Sequence, residues 1–263
     1  MRKILGFDEL IFKQPYKLLG NNLPKVEKNN FFLSFSDSLK YLLNESGIKK
    51  SDTLLLPDFY CPETSQEISK YAKLVFYEIK PNLSVDKTSY FAQIRKYKPR
   101  VIINYNFTGF TLTKQEKEIL KKLSWNPILI DDCAHRILEA KEISFLTRNH
   151  FYIDSIRKYS PFLGSHLIHP KLKPKNVKSI SFYKIKIIAL QTLLQVLGHI
   201  AIYCNSRFFD NLGEHFFNIQ DSIVGFSPIA TSGDSLSYQL WKKLDLTQIK
   251  ARKKELALVY FQQ

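Results

Sequence analysis

Residues 127–158 read P-I-L-I-D-D-C-A-H-R-I-L-E-A-K-E-I-S-F-L-T-R-N-H-F-Y-I-D-S-I-R-K. Ile128, Leu129 and Ile130 form a short apolar run of the buried-strand kind, which stops at Asp131 and Asp132. His135 follows three residues later. A second apolar run, 151–153, stops at Asp154 and Ser155, with Arg157 and Lys158 close behind. In an open parallel sheet, ligands sit outside the carboxyl ends of the strands. Two neighbouring strands of this kind deliver Asp132, His135 and Lys158 to one crevice.

An acid that ends one strand and a lysine that follows the next is what a site for pyridoxal 5'-phosphate (PLP) requires. The lysine attaches to the aldehyde, and the carboxylate keeps the pyridine nitrogen protonated so that the ring takes up electrons. Lysines are abundant in this chain and strand-end carboxylates are common, so the pair draws its meaning from the segments around it.

Working outward, residues 100–106 (R-V-I-I-N-Y-N) form a strand that ends at F-T-G-F, and residues 114–123 form a charged amphipathic helix. Residues 52–57 (D-T-L-L-L-P) make a buried strand closed by Pro57. Pro62 suits the first turn of a helix running to about residue 72. Residues 73–79 are a further strand and 90–97 a helix. Ser36, Asp37 and Ser38 are N-cap residue types directly ahead of Leu39, Leu42 and Leu43 at helical spacing, and Gly47 is a C′ stop. A helix start rich in small hydroxyls is a cradle for phosphate, although the same residues serve as an ordinary cap. After Gly164, S-H-L-I-H (165–169) is one more strand. Strands alternating with helical patterns predict an α/β fold: a mostly parallel central sheet with helices on both faces. Residues 1–30 form a polar arm, and 31–263 a single large domain.

Composition bounds the function. Of 263 residues, 44% are hydrophobic and 14% aromatic, which excludes a disordered chain. The net charge of +15 invites nucleic acid, but no recognition motif accompanies it, and an anionic small-molecule substrate benefits equally from that field. Cys61, Cys133 and Cys204 lie far apart with no C-x-x-C pair, which is the pattern of reduced thiols and not of a zinc site. The start M-R-K-I-L-G-F-D-E-L is not a secretory signal. Residues 170–186 are a lysine-rich surface excursion. The apolar segment 187–203 is short for a membrane span and carries Gln191, Gln195 and His199 as one polar stripe on an otherwise buried helix, with an interfacial or dimer-contact helix as the alternative. Residues 255–261 form a last helix.

Taken together, these segments resemble the sugar-nucleotide aminotransferases of the DegT/StrS type, PLP enzymes of the aspartate-aminotransferase fold. S-F-S-D-S-L-K-Y-L-L (34–43) looks like their phosphate-binding loop and first large-domain helix. L-L-L-P-D-F-Y-C-P-E-T (54–64) looks like the strand and aromatic turn that cover the cofactor ring, and I-N-Y-N-F-T-G-F (103–110) like a strand ending in an aromatic-Gly turn. I-L-I-D-D-C-A-H (128–135) is the most specific match. S-I-R-K-Y-S-P-F-L-G-S (155–165) resembles a divergent branch with its lysine in an S-L-R-K motif. The resemblance implies Lys158 as carrier lysine and proton shuttle, Asp132 as partner of the ring nitrogen, and His135 beneath the ring or near its hydroxyl. It implies Ser36, Asp37, Ser38, Tyr60, Cys61 and Ser155 as further cofactor contacts, and no metal. Cys61 stands where the family has an aromatic ring, leaving Phe59 or Tyr60 to replace it. Ile153 stands where a phosphate-binding hydroxyl is usual, leaving Ser155, and the glycine pair after the lysine loop is reduced to Gly164-Ser165. The family's small C-terminal domain does not follow the final helix.

The implied activity is transfer of an amino group, with glutamate as donor, to a nucleotide-linked keto sugar in surface polysaccharide or lipopolysaccharide synthesis. A cytoplasmic homodimer with no membrane span and no nucleic-acid partner goes with it. Two other readings compete. One is a degenerate or truncated member with an interaction role. The other is a glycosyltransferase that uses Asp131 and Asp132 together on a metal–diphosphate and gives Lys158 no role.

Overall fold

The structure, a computed structural model, describes residues 23–24, 26–106, 112–160, 163–172, 174, 177, 206–225 and 230–261, with single positions between 186 and 204. Its centre is a seven-stranded sheet in the order β1-β7-β6-β5-β4-β2-β3. The strands are β1 (Phe31–Phe32), β2 (Thr53–Pro57), β3 (Lys73–Tyr77), β4 (Val101–Tyr105), β5 (Ile128–Cys133), β6 (His150–Asp154) and β7 (Ser165–Ile168). The run from β3 to β6 is parallel throughout, and β7 is antiparallel to both β6 and β1. This is the expected α/β fold.

Continuous apolar runs suit strands that are covered on both faces. Leu54, Leu55 and Leu56 in β2, and Ile102 and Ile103 in β4, are all fully buried. One face packs on α1 (Phe35–Glu45) and α2 (Pro62–Ile68), where Leu39, Leu42, Leu43 and Ile68 meet Leu54, Ile103, Ile130 and Ile153. The other face carries α3 (Lys87–Tyr97) and α4 (Lys114–Lys121), where Tyr90, Ile94 and Leu120 meet Leu55, Ile102 and Leu129. Beyond Arg207 come α5 (Arg207–Gly225), α6 (Ser235–Trp241) and α7 (Leu246–Phe261). Trp241, Leu246 and Ile249 close a third cluster with Tyr152, Ile156 and Ile168 at the β7 end of the sheet.

Several boundaries differ from expectation. β5 does not stop at its carboxylates but runs through both to Cys133, so Asp131 and Asp132 point to opposite faces. The helix expected after residues 36–38 begins earlier. Ser34 is its N-cap, accepting from the Asp37 amide, which puts Ser36 and Asp37 inside the first turn. Gly47 does follow the helix end, at φ +62°. α2 ends at Ile68, where Ser69 folds its hydroxyl back onto the Gln66 carbonyl. α3 starts at Lys87 under an Asp86 cap, and α7 begins well before residue 255. α5 and α6 were not expected from the sequence. Residues 1–22 and 25 of the arm, the F-T-G-F turn, and most of 173–203 lie outside the described residues. Among the described residues, no helix is long and apolar enough to cross a membrane.

Candidate active site

The carboxyl ends of β4, β5 and β6 open, on the face covered by α1 and α2, into a cleft of about 420 Å3. Strand alternation decides which side chains enter it. Tyr105 pairs in register with Asp132, and Asp132 with Ile153, so this face carries Tyr105, Asp132 and, one residue past β6, Ser155. The chain then turns through Ile156–Lys158 and brings Arg157 and Lys158 to the same cleft. Tyr60, Cys61, Glu63 and Glu67 enter from the β2–α2 side, and Ser36 from the start of α1.

Asp132 is the floor. Its side chain is buried, with Oδ1 accepting from the Ala134 amide at 2.9 Å and Oδ2 accepting from the Tyr60 hydroxyl at 2.6 Å. Burial pushes its carboxyl up to about 6; the Tyr60 and Ala134 bonds and the Lys158 ammonium act in the opposite direction, and Asp131 adds to the rise. The Tyr60 phenol is driven well above its ordinary value by burial and by the adjoining Asp132 charge, so it stays a donor. Its ring meets Tyr105 edge-on at 6.0 Å. His135 sits exposed at the rim. Partial desolvation, followed by the charges of Lys158, Lys253 and Arg157, pushes its imidazole down to about 4, an effect that solvent at its open edge screens. His135 is therefore neutral at pH 7.

The structure thus brings Asp132, His135, Ser155, Lys158, Tyr60, Cys61 and Ser36 together. It does not bring Asp37 and Ser38 to the cleft. Asp37 is buried beside it, accepting from the Ser34 hydroxyl at 2.6 Å and the Thr231 amide at 3.1 Å, and burial holds its carboxyl up at about 6. Ser38 shares a 2.8 Å hydrogen bond with Ser165, whose hydroxyl donates to the Asp154 carbonyl. Ser38 ties α1 to β7, and Asp37 ties it to the segment that carries Thr231. Cys61 is exposed, with its thiol on Glu63 at 2.9 Å, and Phe59 is exposed and outside the cleft lining.

Asp131 belongs to a different cavity on the opposite face, of about 260 Å3. It accepts from Asn104 at 2.8 Å and lies 3.2 Å from the His150 ring. Asn106, at the end of the 100–106 segment, lines that cavity and donates its backbone N–H to the Asp132 carbonyl at 3.1 Å. Two carboxylates on opposite faces of a strand cannot chelate one ion between them, which removes the geometric basis of the glycosyltransferase reading. Sequence reasoning did not single out Tyr105, Glu63 or Glu67. Tyr105 is recoverable, because a strand residue in register with Asp132 shares its face. Glu63 and Glu67, four apart on α2, carry only the weak signal of helical spacing.

No family model and no curated protein matches the chain. Solved structures do. The crystal structure of 3-amino-5-hydroxybenzoic acid (AHBA) synthase is 16% identical over 54% of this chain and 38% of that one, with a TM-score of 0.43. DesV of S. venezuelae, solved with a ketimine intermediate, is 15% identical over 53% and 39%, with a TM-score of 0.42. Tyrosine aminotransferase of Leishmania infantum is 13% identical over 54% and 39%, with a TM-score of 0.40. The chain spans about two-fifths of the length of each.

Proposed function

We propose that this chain binds PLP in the cleft above Asp132 and belongs to an aminotransferase acting on a nucleotide-linked keto sugar. The observation that carries the proposal is the meeting of a buried carboxylate and a lysine amine, Asp132 and Lys158, across one cleft walled by tyrosine rings. The side chains fit the cofactor. Asp132 is a buried carboxylate whose charge is disfavoured as it stands, and a cationic ring nitrogen beside it would supply the compensation that Tyr60 and Ala134 supply only in part. Each carboxylate oxygen accepts one bond and has a second lone pair to offer.

Bound there, PLP supplies an aldehyde for an amine and a ring that accepts electrons. Asp132 holds a proton at the ring nitrogen, and Tyr60 fixes the carboxylate that does so. Lys158 would hold the cofactor through its amine and, with that amine free, would serve as general acid and base. Among the hydroxyls of the cleft, Ser36, in the first turn of α1 where the helix dipole favours an anion, and Ser155 would serve the phosphate. His135 stands at the rim as a neutral hydrogen-bonding group. Glutamate as donor, a homodimer, a cytoplasmic setting and a role in surface polysaccharide synthesis belong to the same proposal.

An absorbance scan tests it. Protein incubated with PLP and desalted is expected to keep a near-visible band that borohydride abolishes, and Lys158→Ala is expected to lack it. A chain that stays colourless in the presence of PLP overturns the proposal. Cys61, a thiol on an exposed turn where the resemblance places a ring, favours the second reading, a degenerate member with an interaction role that holds PLP weakly or not at all. A weak band with no consumption of glutamate would support that reading.

A further inference from the structure

The C-terminal helix reaches the lysine turn from outside the cleft. Leu246, Ile249, Lys250 and Lys253 share one face of α7, at spacings of three and four. Leu246 and Ile249 are buried in the cluster that also holds Ile156 of the lysine turn. Lys250 bridges Glu139 at 2.8 Å and Glu142 at 2.9 Å. One turn further on, the Lys253 ammonium donates to the backbone carbonyl of Lys158 at 2.7 Å. We propose that Lys253 is a positioning residue for Lys158, pinning the turn that presents the amine to the cleft and keeping a second cation beside it. This rests on the assignment of Lys158 as the carrier lysine.

The turn is a single one, Ile156–Lys158, closed by backbone bonds from Lys158 to the Ser155 carbonyl at 3.2 Å and from Tyr159 and Ser160 to the Ile156 carbonyl at 3.0 and 2.8 Å. A charged donor on the carbonyl side fixes the other end of the same residue, and charge-assisted bonds are the stronger kind. The neighbouring charge acts on reactivity as well, since a nearby like charge favours a neutral, nucleophilic amine. Lys253 and Lys158 repel each other: burial first, then the charge of Lys158, lowers the affinity of Lys253 for its proton. The other titratable groups lining the cleft with Lys158 include Asp132 on β5, His135 just past its end, Tyr105 on β4, Cys61 ahead of α2, and Arg157 on its own turn. From the β2–α2 side come the Tyr60 phenol, engaged with Asp132, and Glu63 and Glu67. Glu67 is held by Lys40 and Lys70, so it offsets little of the cationic field.

The test needs no cofactor. Trace acetylation of the whole chain with acetic anhydride across pH, followed by peptide mass spectrometry, gives the pH at which the Lys158 amine is half-reactive. Lys253→Met is expected to raise that midpoint by about 0.5–1 pH unit, because a like charge at a partly exposed site is lost. Lys253→Arg, which keeps the charge and the donor, is expected to restore it. An unchanged or lowered midpoint in Lys253→Met, or a raised one in Lys253→Arg, overturns the proposal. The labelling is read without PLP, so the role of Lys253 is decided even in a chain that never binds the cofactor, and the absorbance scan separately decides PLP binding.

Discussion

Asp132 carries a cost that the proposed cofactor would offset. A carboxyl pushed up to about 6 from an ordinary 3.8 destabilises the folded chain wherever it must ionise. Between those values the folded state holds a proton that the unfolded state has lost, so stability falls as pH rises through the window. The loss is about 3 kcal/mol when complete. Asp37 is raised to about 6 as well and contributes with the same sign. Asp132→Asn is therefore expected to flatten the urea midpoint between pH 4 and 7 relative to the parent chain, and a midpoint as steep as the parent's would show that Asp132 is not the group responsible. The same variant is expected to bind PLP about 10- to 100-fold more weakly, the worth of a charged hydrogen bond. Tyr60→Phe removes only the hydroxyl that orients Asp132, and a loss of about 5- to 10-fold is expected by equilibrium titration.

The elements were legible in proportion to how local their causes are. The triple leucine of β2 and the Ile128–Ile130 run announce strands buried on both faces, and Leu55→Ala is expected to cost about 2–5 kcal/mol in a denaturant titration. Pro62 and Gly47 mark a helix start and a helix end through their own backbone preferences. Where several residues have equal propensity the sequence misleads. Ser34, Ser36, Asp37 and Ser38 can all cap a helix, and packing of the α1 leucines on the sheet selects Ser34. The end of β5 was misplaced because two carboxylates look like a stop, although a strand at a cleft tolerates one on each face. Contacts across long separations left no local trace: the Tyr60–Asp132 bond and the grip of Lys253 on Lys158 depend on how the sheet orders its strands. Gly164 shows a strained position with a clear cause. Its φ is +152°, and a Cβ there would lie 2.1 Å from the Phe31 ring. Gly164→Ala is expected to destabilise by about 2–4 kcal/mol, seen as a lowered Tm, because Phe31 at the joint of β1 and β7 has to move.

At the scale of the whole chain, alternation across one sheet separates two polar sites. Asp132 faces a cleft with a lysine and two tyrosines, whereas Asp131 faces a second cavity with Asn104 and His150. The net charge of +15 favours anionic ligands over cationic ones. The proposed homodimer is expected to sediment near twice 30.8 kDa, and a species of 30.8 kDa at all concentrations would remove the dimer from the proposal. The assignment of Lys158 is reached most directly by covalent trapping. The chain is incubated with PLP, reduced with borohydride, digested and mapped by mass spectrometry. The expected result is one dominant phosphopyridoxyl adduct, on the peptide carrying Lys158, absent when Asp132→Asn is trapped at low PLP. Adducts scattered over the exposed lysines, with none on Lys158, would contradict the account.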